Sequence, residues 1–84
     1  MPYIPTSLRK EVNREGPWSP GELNYWITNE LLEYLARRAS LDNGQGYAHY
    51  SEVVGVLECV KQEFIRRILN PYEDKKIKEN GDVF

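Results

Sequence analysis

Apolar residues recur most regularly between Ser51 and Leu69. Val53, Val56, Leu57, Val60, Phe64 and Ile68 follow one another mostly three and four residues apart, the spacing that gathers side chains on one face of an α-helix. Glu58, Lys61, Gln62, Glu63, Arg66 and Arg67 fill most of the other positions. The pattern predicts a long amphipathic helix over Ser51–Leu69. Proline at position 71 has no N–H to continue the ladder, and its ring crowds the preceding turn, so this helix is expected to stop at Asn70-Pro71. The same step reads as a new start, with Asn70 as cap, Pro71 at the first helical position and Glu73 as capping-box acid. A short charged helix is expected over Pro71–Glu79, ending at Asn80-Gly81.

A second strong pattern precedes it. Ser19 caps, Pro20 suits the first helical position and Glu22 completes a capping box, which predicts a helix over Pro20–Ala39. Leu23, Trp26, Ile27, Leu31, Tyr34 and Leu35 form its main apolar face; Tyr25, Leu32, Ala36 and Ala39 form a weaker one. Two apolar faces call for more than one packing neighbour. Arg37 and Arg38 are expected in the last turn, where positive charge suits the helix dipole.

Upstream, Pro2 and Pro5 make the N-terminus extended unless Tyr3 and Ile4 dock. Thr6 or Ser7 can cap a short helix carrying Leu8 and Val12, closed by Gly16-Pro17. Between the long helices, Leu41–Gly46 holds Asn43-Gly44 and Gly46, residues that accept the positive φ of a tight reversal. This connector is short enough to make the long helices antiparallel neighbours. Tyr47 to Tyr50 leads into the second long helix, and Gly55 within it lets another backbone come close. The expected fold is all-α: an antiparallel hairpin of two long helices with short N- and C-terminal helices. It forms a single domain over 1–84, with 1–18 partly extended and 71–84 a charged helix and tail. Trp26, Ile27, Leu31, Leu35, Leu57, Val60 and Phe64 are its expected core.

Composition narrows the function. Eighty-four residues make one small domain whose own core is marginal, since a chain this short buries roughly 60–65% of its unfolded surface. A net charge of −2 gives no electrostatic case for general nucleic-acid or membrane binding. No apolar run approaches the roughly 20 residues that span a bilayer, and the polar N-terminus does not read as a signal peptide. One cysteine and one histidine exclude an intramolecular disulfide and the usual zinc patterns, so a cytoplasmic setting is expected. Two tryptophans, six tyrosines and two phenylalanines exceed what one narrow helical core can hold. Aromatic enrichment of that kind marks interface cores, and a homo-oligomer is expected.

The chemistry of single residues is sparse. His49 and Glu52 sit one helical turn apart, yet no second ligand pair completes a metal or acid–base site, so His49 reads as a surface histidine. Cys59 lies mid-helix with no base at a suggestive spacing and reads as a small hydrophobe. With no G-x-S-x-G, no phosphate-loop glycine pattern and no paired aspartates, the chain is expected to be non-enzymatic, without cofactor or metal. Glu58, Lys61, Glu63, Arg66 and Arg67 can line a polar groove; they can equally form a solvated face laced with pairs such as Glu58–Lys61 and Glu63–Arg67. Tyr72, Lys75, Lys76 and Lys78 interleave a ring with positive charge, diluted by Glu73, Asp74 and Glu79. A compact anion such as a nucleotide fits that balance, above all if Arg66 or Arg67 supplies a bidentate fork.

Three blocks, GELNYWIT (Gly21–Thr28), VGVLECVKQEFIRR (Val54–Arg67) and NPYEDKKIKENGDVF (Asn70–Phe84), together resemble a family of small uncharacterised proteins of tailed phages, bacteria and archaea. Its pattern reads GELNYxIT, ALECxKxEFYRR and PYEDxKxxENGDVY. Ile65 and Phe84 stand where that pattern has tyrosines, so neither hydroxyl is essential here. The resemblance implies a fold and a phage-like context, with the host cytoplasm as location. It also sets apart Asn24, Tyr25, Thr28, Glu58, Lys61, Arg66, Tyr72, Glu73, Asp74, Asn80 and Asp82, whose place in a recurring pattern core packing does not explain. Taken with Arg67 and Lys75 of the charged cluster, the expected ligand set is Asn24, Tyr25, Thr28, Glu58, Lys61, Arg66, Arg67, Tyr72 and Lys75, with a structural polar network as the other reading. Lys61, Arg66 and Arg67 do not share one narrow helical stripe, so a second subunit, or the tail helix folding back at Pro71, is needed to gather them. Two functions are then in view. One is a homo-oligomeric binding protein that sequesters a small anionic, nucleotide-like ligand; the other is a protein–protein module that inhibits or scaffolds a host or virion protein.

Overall fold

A computed structural model describes residues 4–42 and 46–84, and every regular element among them is helical. Helix α1 spans Thr6–Glu15, α2 spans Pro20–Asp42 and α3 spans Tyr47–Phe64. A π-helical turn over Ile65–Leu69 then leads directly into α4, Asn70–Asn80. The all-α expectation holds. By internal contacts the chain divides into two compact units, Met1–Tyr50 and Ser51–Phe84.

In the first unit, α1 opens behind Pro5, whose backbone is extended (φ −55°, ψ 142°) and whose carbonyl accepts the Leu8 N–H at 2.9 Å. No side chain caps this end, so Thr6 and Ser7 are not the caps the sequence suggested; Thr6 is already helical because the fixed φ of Pro5 starts the turn. Gly16 closes α1 at φ 92°, a conformation that side chains with a Cβ resist, and donates its N–H to the Val12 carbonyl at 2.9 Å. At the start of α2, Ser19 is the cap the sequence implies. The Ser19 hydroxyl accepts the Glu22 N–H at 3.1 Å and donates to the Glu22 carboxylate at 2.9 Å. Helix α2 runs three residues beyond Ala39, which leaves Arg37 and Arg38 outside the last turn. The Asn13 amide donates to the Tyr25 hydroxyl at 3.2 Å and ties α1 to α2. The Asn43-Gly44 reversal and the docking of Tyr3 lie outside the described residues, and the antiparallel hairpin stays an expectation of the sequence.

Tyr47–Tyr50 forms the first turn of α3, with the His49 and Tyr50 N–H groups donating to the Gly46 carbonyl at 3.0 and 3.2 Å. The expected break at Asn70-Pro71 does not occur. Leu69 (φ −70°, ψ −48°) and Asn70 (φ −62°, ψ −47°) both stay right-handed helical, and Asn70 makes no side-chain cap. Instead the turn before the proline widens. The Asn70 N–H donates to the carbonyl of Ile65, five residues back, and the wider loop removes the crowding that a proline ring imposes on an ordinary turn. Gly81 ends α4 at φ 82°, its N–H on the Ile77 carbonyl at 2.8 Å.

The buried apolar side chains among the described residues are Val12, Leu35 and Val53. Of the expected core, Leu35 is buried and Leu31 half-buried, whereas Trp26, Ile27, Leu57, Val60 and Phe64 are exposed in the single chain. Gly55 likewise has no approaching backbone: a Cβ there would meet nothing within 4 Å among the described residues. The reason is physical. Periodicity states which residues share a face, but not whether the same chain holds anything to cover it.

Candidate functional site

The expected ligand residues fall into two sets, one in each unit. In the first unit, Asn24, Tyr25 and Thr28 lie on α2, where the GELNYWIT stretch is helical throughout. The Thr28 hydroxyl donates to the Asn24 carbonyl at 2.8 Å and approaches the Asn24 side-chain oxygen at 3.3 Å. This is the back-bonding a helical threonine makes one turn below itself. Tyr25 is engaged by Asn13. All three therefore have partners within the first unit.

In the second unit, the charged residues pair within single helical turns. Glu58 accepts a hydrogen bond from the Gln62 amide at 3.0 Å and has the Lys61 ammonium at 3.6 Å. These two neighbours, Gln62 first, hold the Glu58 carboxyl below its ordinary range. Arg66 and Arg67 converge on one carboxylate. Arg66 reaches the two oxygens of Glu63 at 2.9 and 3.3 Å, and the Arg67 Nε reaches Oε2 at 2.5 Å. On α4, Lys75 and Lys76 both lie near Glu79, at 3.9 and 3.4 Å. The ring of Tyr72 carries Lys76 rather than Lys75, with the ammonium 5.6 Å from the ring centre.

The structure thus brings Arg66 and Arg67 together. Lys61 and Lys75 go to other acids one turn away. The side chains of these ion pairs are mostly exposed, and exposed pairs of this kind are worth under about 1 kcal/mol each. Glu63, Gln62 and Glu79 are the partners the expected ligand set left out. Their signal in the sequence is spacing alone, three or four residues from the charge they meet.

The larger feature of this unit is apolar. Leu57, Val60, Phe64 and Ile68 stand 38%, 58%, 61% and 57% exposed, on the helical run that crosses the π turn. Tyr72, further along the same run, is 56% exposed. Large side chains left open in a row on one element make a candidate interaction surface.

A family model for a domain of unknown function, DUF6899, matches residues 1–83. The chain belongs to the DUF6899 family. No curated protein and no solved structure matches it. Membership therefore places the protein in an uncharacterised family and brings no activity with it. Among the described residues, no DUF6899 helix is long and apolar enough to cross a membrane.

Proposed function

We propose that this DUF6899 protein is a non-enzymatic helical assembly protein that associates with further copies of itself through the apolar stripe of α3 and α4. The observation that carries this reading is the exposure of Leu57, Val60, Phe64 and Ile68 in one row. Light scattering at micromolar concentration tests it: a mass that is a multiple of 9.8 kDa is expected, and a monomer sinks the reading.

The second reading, a small anion held where copies meet, draws on the convergence of Arg66 and Arg67 on Glu63. Two guanidinium groups already face one carboxylate, and an incoming phosphate would replace that acid. A thermal-shift panel of nucleotides tests this. A ligand at a hundred times its dissociation constant adds about 2.7 kcal/mol, and Arg66→Ala or Arg67→Ala should abolish the gain. If no nucleotide shifts the melting temperature, the arginines serve only a solvated face. A phage origin, and with it work in a host cytoplasm, belongs to this second reading, in which the protein would sequester a host signal. Blocking or scaffolding a host or virion protein is the alternative use of the same stripe.

A further inference from the structure

The wide turn at Ile65–Leu69 decides where the apolar stripe goes next. Leu57, Val60 and Phe64 are spaced three and four residues apart, and the same rhythm carried on would next take Arg67 and Pro71. A π turn closes its hydrogen bond across five residues rather than four, so it takes up one residue more. The stripe then continues through Ile68 and Tyr72 instead. The turn that accommodates Pro71 thereby keeps the apolar row in line from α3 into α4. Val53, already buried, lies at the upstream end, so the row open to a partner begins at Leu57.

We propose, building on the assembly reading above, that a second copy of this chain covers the stripe in antiparallel orientation, with the two-fold axis near residue 62. Two observations choose this occupant and this direction. From Leu57 to Ile68 the row reads nearly the same from either end: an antiparallel copy sets Leu57 level with Ile68 and Val60 level with Phe64. Aliphatic meets aliphatic, and a small β-branched side chain lies beside a large ring, which is how facing positions interdigitate. An interface of this kind is self-complementary about a two-fold axis and closes on itself. Charge points the same way. Residues 51–64 carry three acids against one lysine, a net −2, while residues 65–80 carry five basic residues against three acids, a net +2. Parallel copies would stack like charge on like charge. Antiparallel copies lay each half against its opposite, which fixes direction as well as favouring encounter.

Two measurements test the proposal, and they fail differently. Light scattering of the full chain should give twice 9.8 kDa, and Phe64→Glu should return it to a monomer with its helical circular dichroism unchanged. For direction, Cys59, the free cysteine, is replaced by serine, and the variants Leu57→Cys and Ile68→Cys are mixed and oxidised. A heterodisulfide between the two variants in preference to either homodisulfide is the expected result. Homodisulfides of Leu57→Cys would mean parallel copies, overturning the direction while leaving self-association standing. A monomer under all conditions, its stripe covered by the chain's own first unit, overturns both.

Discussion

Glu58 shows how much of this protein's chemistry is settled within one helical turn. Its carboxyl is held low first by the Gln62 amide and then by the charge of Lys61. A carboxyl with a depressed folded pKa contributes stability above its unfolded pKa and loses it as pH falls through the folded one. Gln62→Ala should therefore raise the Glu58 pKa toward the usual carboxylate range, read by NMR titration of the side-chain carboxyl carbon. An unchanged value would assign the effect to Lys61 alone. Caps divide in the same local way. Ser19→Ala removes the acceptor for the Glu22 N–H and should cost about 0.5–2 kcal/mol in chemical denaturation. Asn70→Ala removes no cap and should stay within about 0.5 kcal/mol. Ser19 was legible because the three residues just before it, 16–18, are not helical. Asn70 has the same signature, but a strong amphipathic run leads into it, and the winner between a fresh start and a continued helix is set by the backbone around it.

On the scale of elements, α3, the π turn and α4 form one helical run that the proline rule alone divides. The spacing of apolar residues before Pro71 was readable, and so was the helical character of residues 71–79. The widened turn was not, because no residue type encodes it; it is the backbone's response to a missing donor and a crowding ring. Pro71→Ala removes both causes. The Asn70 N–H should then move to the carbonyl four residues back, and Ile68 and Tyr72 should turn out of line with Phe64. The expected outcome is a helix at least as stable, seen by amide hydrogen exchange across 65–70, with weaker self-association by light scattering. Association unchanged by this substitution would show that the register carried through the turn does not matter.

For the molecule as a whole, the helical class was plain from periodicity, whereas the location of the core was not. Leu35 is buried within the chain, and Leu35→Ala should cost about 2–5 kcal/mol at any protein concentration. Phe64 is exposed, so Phe64→Ala should leave a dilute chain nearly unchanged. At high concentration it should lower the melting temperature, because a partner that binds only the folded state adds stability by mass action. Equal losses at both concentrations would place Phe64 in the core of the chain itself. The candidate site was legible to the extent that its charges were paired by spacing, as Glu58 with Lys61 and Glu63 with Arg67. What the letters left open was whether those pairs satisfy one another or wait for a ligand, since a carboxylate one turn away can do either.

The π turn at Ile65–Leu69 can also be described as an insertion that the helix has absorbed. It holds one residue more than a regular helix would need to carry the stripe from Phe64 to Tyr72. In the Pro71→Ala background, where the turn is expected to be an ordinary one, deleting Arg66 should therefore bring Tyr72 back into line with Phe64 and leave everything downstream in phase. The same one-residue deletion at Cys59 would rotate the whole C-terminal half by about 100° and scatter the stripe around the helix. Tolerance of length change in this chain should be concentrated in those five residues, inside a helix, where helices ordinarily tolerate it least.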